Sequence, residues 1–212
     1  MAACANTGEI LARVQNRWGV AMALIDVTNR EIHAKIVYYG PGLSGKTTNL
    51  VNIHQRLPAD IRGEMKTIAT ESERTLFFDF VPIDAIRVGG WAIRFHLYSV
   101  PGQDVYVRTR RAILGGADGV VFVADSEPSR RQANLQSLAE LEQHLAQYQR
   151  NPTNLPIVLQ YNKIDVSDAL SRADMNATLN ADAWPSFEAI ATRGNGVSET
   201  LGSISRLVAR TL

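Results

Sequence analysis

Residues 39–48 read Tyr-Gly-Pro-Gly-Leu-Ser-Gly-Lys-Thr-Thr, and this stretch decides the fold. Its Gly-x₄-Gly-Lys-Thr spacing is that of a phosphate-binding P-loop, and it lies between an apolar strand pattern and an amphipathic helical pattern. Glycines let main-chain N–H groups turn towards phosphate oxygens, and the N-terminal end of the following helix adds partial positive charge. We therefore predict that Lys46 contacts the β- and γ-phosphates of a nucleotide and that Thr47 binds Mg²⁺. The predicted phosphate loop comprises Gly40, Gly42, Leu43, Ser44, Gly45, Lys46, Thr47 and Thr48.

A second motif ends a later apolar run, residues 156–162. Residues 162–165 read Asn-Lys-Ile-Asp, at the carboxyl edge where open α/β sheets bind ligands. The Asp165 carboxylate can accept hydrogen bonds from the N1 and the exocyclic amine of guanine, two donors that adenine does not present together, while the Lys163 stem covers the base. The motif therefore predicts a site for GTP and GDP. The alternative is a polar helix entry that Asp165 caps.

A third loop, after the last apolar run, completes the predicted base site. Ala191 and Thr192 either present a main-chain N–H to the guanine carbonyl or belong to a plain strand-to-helix loop. The predicted base-binding residues are Asn162, Lys163, Asp165, Ala191 and Thr192.

The composition fits one globular domain. The chain has 212 residues, of which 45% are hydrophobic and 20% charged, and these values exclude a disordered or collagen-like chain. A net charge of +1 offers no general attraction to nucleic acid or to an anionic membrane, so we expect neither as a partner. The single cysteine, Cys4, cannot form an internal disulfide, and the sequence carries no signal peptide or lipidation motif. We expect a cytoplasmic protein without a stable membrane anchor.

Short apolar runs alternate with longer amphipathic ones from Glu31 onwards, which is typical of parallel strands joined by crossover helices. Six strands are predicted, at 32–39, 75–82, 91–99, 119–125, 156–162 and 186–192. No helical pattern separates the second strand from the third, and Val88-Gly89-Gly90 indicates a turn, so these two strands pair as an antiparallel hairpin. Helices are predicted around 50–57, 135–148 and 197–208, with Pro58 and Pro152 ending the first two. The expected fold is α/β: a six-stranded, mostly parallel sheet with one antiparallel edge hairpin and helices on both faces.

Three further segments together resemble the bacterial MglA group of Ras-like small GTPases. They are residues 35–47, residues 73–80 and residues 95–103, the last of which ends in Pro-Gly-Gln. The resemblance runs from about Met22 to residue 212 and implies the Ras-like P-loop GTPase fold for residues 22–212. It also implies a GTP-hydrolysing switch that uses Mg²⁺, regulates cell polarity or surface motility and turns over slowly without a partner. The implied partners are an MglB-type activator of the Roadblock fold and effectors of polarity or motility, in the cytoplasm with recruitment to a cell pole.

The resemblance also implies roles for individual residues. Gln103 would orient the attacking water, and Gly102 would offer its N–H to the γ-phosphate. Arg74 would act as an internal arginine finger, a group that raises the rates of other GTPases by about 10³ to 10⁵, while Thr75 would bind Mg²⁺ and the γ-phosphate. A solvated surface charge is the alternative for Arg74. The implied catalytic residues are Arg74, Gln103, Lys46 and Thr75, and the implied metal ligands are Thr47 and Thr75.

One position departs from the Ras-like pattern. The segment that we call the third motif comprises residues 99–103, Ser-Val-Pro-Gly-Gln. In Ras-like proteins this motif begins with an aspartate where this chain has Ser99, and the MglA group lacks that carboxylate too. The charge of Mg²⁺ would then be met by phosphates, threonine hydroxyls and water, with either Asp79 or Asp125 as an outer partner. The departure leaves a second candidate function, a hydrolysis-poor, GTP-dependent scaffold that assembles partners.

Residues 76–81 of the second predicted strand are apolar on both faces, so this sequence specifies register weakly. The alternative is an ordinary buried strand with one polar residue. Sliding of this strand on GTP binding is a property of the MglA group. We hypothesise that Arg74 and Thr75 are displaced in the free protein until a partner favours the shifted register.

Two segments remain open to more than one interpretation. Arg108, Arg110 and Arg111 form either a docking surface for an acidic or apolar partner or a solvated helical face. Residues 1–21 are interpreted as an N-terminal extension, either disordered or read from a start upstream of Met22, with a short regulatory arm as the functional alternative. That extension has a weak helical pattern in Ile10, Leu11, Val14 and Trp18.

Overall fold

The computed structural model describes residues 11–13, 24–69, 74–80, 87–102, 107–148 and 155–212. Ten strands lie within these ranges: β1 Leu11–Arg13, β2 Leu24–Asp26, β3 Glu31–Tyr39, β4 Lys66–Ala69, β5 Arg74–Phe80, β6 Arg87–Val88, β7 Trp91–Ser99, β8 Gly119–Asp125, β9 Ile157–Asn162 and β10 Ser186–Ala189. Five helices accompany them: α1 Lys46–Arg56, α2 Val107–Leu114, α3 Arg131–Gln147, α4 Arg172–Leu179 and α5 Val197–Ala209. A 3₁₀ turn, Pro128–Arg130, precedes α3.

The main body of the sheet has the strand order β10-β9-β8-β3-β7-β5-β4. Neighbouring strands from β10 to β7 are parallel, whereas β5 runs antiparallel to β7 with Phe77 opposite Tyr98. This arrangement confirms the six predicted strands and the predicted antiparallel pair. Because parallel strands end at the same edge of a sheet, the segments after β3, β7, β8 and β9 all emerge there.

Four short strands were not predicted. Strand β4 pairs with β5, so the strand predicted at the sheet edge has one more neighbour. Strand β6 pairs with the start of β7, and β2 pairs with the start of β3. Residues Leu11–Arg13 pair with Leu24–Asp26, so the weak helical pattern is wrong at these positions. Here main-chain pairing with a neighbouring strand prevails over a local preference.

The central strand β3 separates two hydrophobic clusters, because successive side chains of a strand point to opposite faces. Ile36 and Tyr38 belong to the cluster shared with α1 and α5, and Val37 and Tyr39 belong to the cluster shared with α3. Gly119, at the start of β8, has no room for a side chain unless its neighbours move. A Cβ atom on Gly119 would lie 2.5 Å from Val208 Cγ2 and 3.0 Å from Ile204 Cδ1. Helix α5 therefore packs directly onto the backbone of β8.

The helices confirm most of the predicted spacing. Helix α1 ends at Arg56, just before the Leu57-Pro58 pair, and α5 buries the predicted apolar stripe. Pro152 lies outside the described residues, and α3 ends at Gln147. Helix α4 was not predicted, although its start has a recognisable signal, since the Ser171 hydroxyl accepts a hydrogen bond from the Asp174 N–H. Within the described ranges, no helix is long and apolar enough to span a membrane.

Candidate functional site

The phosphate loop connects the buried end of β3 to the first turn of α1. Three of its residues have positive φ: Gly40 at 142°, Leu43 at 65° and Gly45 at 99°. Successive residues that alternate in this way turn main-chain N–H groups to one side and form an anion-binding concavity. The loop therefore has the backbone geometry that its glycine spacing predicted.

Two side chains of the loop are buried with their polar ends inside it. Lys46 is 5% exposed, and its Nζ donates to the carbonyl oxygens of Gly40 at 2.9 Å and Pro41 at 2.6 Å. The Ser44 hydroxyl is buried and has no hydrogen-bond partner among the described residues. The first turn of α1 carries no acidic side chain. A buried cation, a buried hydroxyl without a partner and a helix N-terminus without carboxylates fit the phosphates of a nucleotide.

The predicted metal ligands supply oxygen atoms of the type that Mg²⁺ prefers. Thr47 is exposed at the start of α1, next to the intermediate Thr48. Thr75 lies at the beginning of β5, where the structure describes the main chain alone. Among the described residues, no group of three or more histidine, cysteine or acidic side chains is arranged so that it could hold a metal ion. Threonine hydroxyls are ligands that suit a Mg²⁺ ion with water and phosphate oxygens as its other ligands, and the roles of Thr47 and Thr75 stay predictions.

Asn162 joins the phosphate loop to the predicted base site. Its side chain is 3% exposed, and Nδ2 donates to the Ser44 carbonyl at 2.8 Å. Its Oδ1 accepts a hydrogen bond from the Ala191 N–H at 2.9 Å. One buried side chain thus fixes two loops whose residues lie far apart in the sequence, and the predicted phosphate and base residues form one site.

The rest of the base motif lies beside charged partners. Lys163 has φ 65°, and its Nζ donates to the buried Asp125 carboxylate at 2.5 Å. The exposed Asp165 lies 3.7 Å from Arg193 Nη2, and Thr192 is exposed in the same loop. The role of Asp125 as an outer Mg²⁺ partner stays a prediction. The side chain of the other candidate, Asp79, lies outside the described part of the chain.

The third motif reaches the phosphate loop through its backbone. The Val100 N–H donates to the Tyr38 carbonyl at 3.2 Å, which continues the pairing of β7 with β3. A Cβ atom on Gly102 would lie 2.4 Å from the Gly42 nitrogen, so only glycine allows this approach. Ser99, the residue in place of an aspartate, is buried at the end of β7. Gln103 lies outside the described residues.

The backbone of β5 brings Arg74 and Thr75 to the same edge of the sheet. Strand β5 begins at Arg74 and runs antiparallel to β7, with Phe77 opposite Tyr98 near the end of β7. The beginning of β5 therefore lies at the edge where β3 and β7 end. This placement fits the roles implied for both residues, and those roles stay predictions.

Arg110 corrects the interpretation of the arginine cluster on α2. Arg108 and Arg111 are exposed, but Arg110 is 2% exposed and belongs to neither a docking surface nor a solvated face. Its Nη2 donates to Glu140 Oε1 at 2.6 Å, and its Nη1 donates to the Pro101 carbonyl at 3.3 Å. A carboxylate partner on α3 makes it possible to bury this guanidinium.

The same ion pair continues into a buried aromatic contact. His144 lies 3.7 Å from Glu140, and its Nδ1 lies 3.3 Å from the Tyr39 hydroxyl. Burial lowers the pKa of His144, although the negative charge of Glu140 opposes this effect. Burial also raises the pKa of Tyr39. Neutral His144 therefore bridges α3 and the residue that precedes the phosphate loop.

Two more sets of polar contacts, buried or partly buried, were not predicted from the sequence. Asn49 donates to the Gly45 carbonyl at 3.0 Å and to Gln160 at 2.7 Å, and Gln160 donates to Thr200 at 3.1 Å. Arg130 donates from Nη2 to the Gly42 carbonyl at 2.8 Å. Pro128 in the local sequence indicates a short helical turn, but no local signal distinguishes Arg130 from its neighbour as the residue that reaches the loop.

Comparison with known proteins agrees with this geometry. Residues 21–208 match the ADP-ribosylation factor family. The chain is 46% identical over 187 residues to the mutual gliding-motility protein MglA of Myxococcus xanthus, an alignment that covers 88% of this chain and 96% of that protein. It is also 27% identical over 178 residues to ADP-ribosylation factor-like protein 6 of Caenorhabditis briggsae, which covers 80% of this chain and 84% of that protein. The Caenorhabditis elegans protein of the same name is 26% identical over 179 residues.

Proposed function

Because the chain belongs to the ADP-ribosylation factor family as an MglA-type small GTPase, we propose that it is a GTP-hydrolysing switch that regulates cell polarity or surface motility. The name of the Myxococcus xanthus relative refers to mutual gliding motility, and that relative aligns over nearly its whole length. The proposed activator is an MglB-type Roadblock partner. The proposed place of action is the cytoplasm, with recruitment to a cell pole.

One observation carries the guanine-nucleotide part of the proposal. Asn162 donates to the Ser44 carbonyl of the phosphate loop and accepts from the Ala191 N–H of the base loop. The two halves of a nucleotide would therefore be held at a fixed separation, with Lys46 at the phosphates and Asp165 at the guanine edge.

In the proposed reaction, water attacks the γ-phosphorus, and the bond to the oxygen that bridges the β- and γ-phosphates breaks to give GDP and phosphate. Gln103 orients the water, and Gly102 presents its N–H to the γ-phosphate beside Gly42. Arg74 supplies positive charge where negative charge develops on the phosphate oxygens. Magnesium bound through Thr47 and Thr75 would neutralise further charge on the phosphates.

Regulation is proposed to act on the catalytic half of this site. In the free protein, Arg74 and Thr75 on β5 are displaced from their catalytic positions, and the partner favours the register that brings them in. The basal rate is therefore low, and the partner raises it. Effectors of polarity or motility then distinguish the GTP form from the GDP form.

The test combines nucleotide affinity with turnover. The full chain is expected to bind fluorescent GDP tightly and the matching ADP analogue at least about 100-fold more weakly, because two guanine donors find no equivalent in adenine. A Roadblock-type protein from the same genome is expected to raise the rate of GTP turnover. Arg74→Ala is expected to lower this stimulated rate about 10³-fold. Arg206→Ala, which removes an exposed arginine of α5, serves as the control.

Each failure has a distinct meaning. Equal binding of ADP and GDP would refute the guanine site. Tight GTP binding without hydrolysis, even with the partner, would favour the GTP-dependent scaffold. Stimulated turnover that is unchanged in Arg74→Ala would leave the switch intact but remove Arg74 from its mechanism.

A further inference from the structure

Arg130 is a charged residue outside the P-loop motif whose side chain hydrogen-bonds to the backbone of the phosphate loop. It ends the 3₁₀ turn after β8, and its Nη2 donates to the Gly42 carbonyl at 2.8 Å. Its Nε lies 3.9 Å from Asp125 Oδ2, the same oxygen that Lys163 Nζ contacts. Asp125 is fully buried, so it is a fixed anion shared by two cations. The guanidinium is thereby held over the loop and not left to a flexible surface position.

The planarity of the peptide bond gives this contact a consequence inside the loop. In a trans peptide, the carbonyl of one residue and the N–H of the next point in opposite directions. When Arg130 holds the Gly42 carbonyl, it necessarily directs the Leu43 N–H away from itself. In a P-loop, the main-chain N–H groups on that inner side cradle the phosphates.

Leu43 itself is an unfavourable residue at this position. Its φ of 65° is left-handed, a region that costs energy for a residue with a branched side chain. Its side chain is 86% exposed, so burial does not offset that cost. A charged hydrogen bond to the preceding carbonyl is a contact that can hold the strained peptide in place.

We propose that Arg130 is a positioning residue of the phosphate loop, whose guanidinium holds the Gly42–Leu43 peptide so that the Leu43 N–H faces the β-phosphate of a bound guanine nucleotide. The inference rests on the proposed guanine-nucleotide function. It adds a residue that lies outside every motif of the sequence, and it explains why leucine is tolerated where glycine would be easier.

The experiment measures the dissociation rate of fluorescent GDP from the full chain. Arg130→Ala is expected to raise this rate about tenfold, since a hydrogen bond from a charged group is lost at the loop. Arg131→Ala is the matched control, because the adjacent Arg131 is exposed and donates to Thr178 on α4, away from the loop. The control is expected to dissociate GDP within about twofold of the parent rate, as for other exposed substitutions.

Two further measurements separate positioning from general destabilisation. The dissociation constant of GMP, which has no β-phosphate, is obtained by competition and corrected for the affinity of the fluorescent GDP in each variant. We expect this constant to be unchanged by Arg130→Ala, whereas a loosened base site would weaken GMP binding as well. Leu43→Gly is then introduced into both backgrounds, since glycine adopts the left-handed conformation without the cost. In that background Arg130→Ala is expected to raise the dissociation rate only about threefold, a partial rescue that follows from the removed strain.

The outcomes distinguish this inference from the function on which it rests. If the parent chain binds no GDP, the proposed function and the inference both fail. If the parent chain binds GDP but Arg130→Ala dissociates it at the parent rate, the inference alone fails. Equal loss of GMP and GDP affinity, or an undiminished effect of Arg130→Ala in the Leu43→Gly background, would also overturn it.

Discussion

The phosphate loop and the third motif touch at Gly42 and Gly102, but they are held to the rest of the protein in different ways. The loop is fixed by side chains from three other elements or loops, namely Asn162 on Ser44, Arg130 on Gly42 and Asn49 on Gly45. In the described part of the third motif, the Val100 N–H bonds to the main chain of β3, and Arg110 donates to the Pro101 carbonyl at 3.3 Å.

This difference matches the two tasks that the proposed switch must perform. A region that retains a nucleotide benefits from several independent attachments, because no single fluctuation then opens it. A region that responds to the nucleotide must be able to move, and fewer attachments would allow this. Within the described ranges, the phosphate loop receives hydrogen bonds from more side chains than residues 99–102 do, and glycine lies on both sides of their contact.

The largest effect is expected from Asn162→Ala, which tests whether the loop is as firmly fixed as its contacts indicate. The substitution leaves the buried Ser44 carbonyl and Ala191 N–H without their partner, at a cost of about 1–3 kcal/mol for each. We expect GDP affinity to fall by about 30-fold or more, as measured by calorimetry. An affinity within threefold of the parent would mean that the other attachments suffice.

Arg110→Ala tests the attachment of the third motif and is expected to have the next largest effect. It leaves Glu140 without its buried partner and should lower the free energy of unfolding by about 2–3 kcal/mol, less than a fully buried pair because Glu140 is 22% exposed. Urea unfolding monitored by circular dichroism measures the change. The exposed Arg111→Ala is the control, expected to stay within about 0.5 kcal/mol of the parent protein.

Gly102→Ala tests which of the two regions moves more easily at their contact. A Cβ atom at this position would lie 2.4 Å from the Gly42 nitrogen, so one of the two segments must move. If the third motif is the weaker one, GTP hydrolysis should fall about tenfold or more while GDP affinity stays within about threefold. A large loss of GDP affinity with retained hydrolysis would reverse the comparison.

The smallest effect is expected in the pH dependence of stability that comes from His144, the residue of α3 that contacts Tyr39 beside the phosphate loop. Its pKa is lowered in the folded protein from a usual value of 6.5, so the unfolded chain binds the proton more readily. The free energy of unfolding should therefore fall as the pH drops below 6.5, by at most about 1.4 kcal/mol per pH unit for one group. Urea midpoints at pH 7 and pH 5.5 should show a smaller difference in His144→Gln than in the parent.

Much of the fold follows from local sequence signals. Strand Trp91–Ser99 was predicted to the residue because a Gly-Gly turn precedes it and a proline follows it closely. The phosphate loop follows from its spacing, and Asn162 from its place at a strand end. Strands β1, β2, β4 and β6 were missed, because a strand of two to four residues is stable only through its neighbours.

The supporting residues of the site were missed for a different physical reason. Arg110 lies in a run of arginines that is typical of a solvated helix, and its burial depends on Glu140, thirty positions away. Arg130 meets Gly42 across 88 positions of sequence. Neither contact can be predicted from a local sequence pattern, because each depends on how the third motif, α3 and the phosphate loop pack in three dimensions.

The contact of Gly119 with Ile204 and Val208 also bears on the order in which the chain is made. Strand β8 leaves the ribosome about 85 residues before its packing partners on α5, which at usual rates of translation is a delay of roughly 4 to 17 s. During that interval one face of the central sheet has no cover from α5, and the nascent chain exposes an apolar surface. Completion of the domain therefore waits for α5, and a pause in translation between β8 and α5 would lengthen the time in which chaperones can bind that surface.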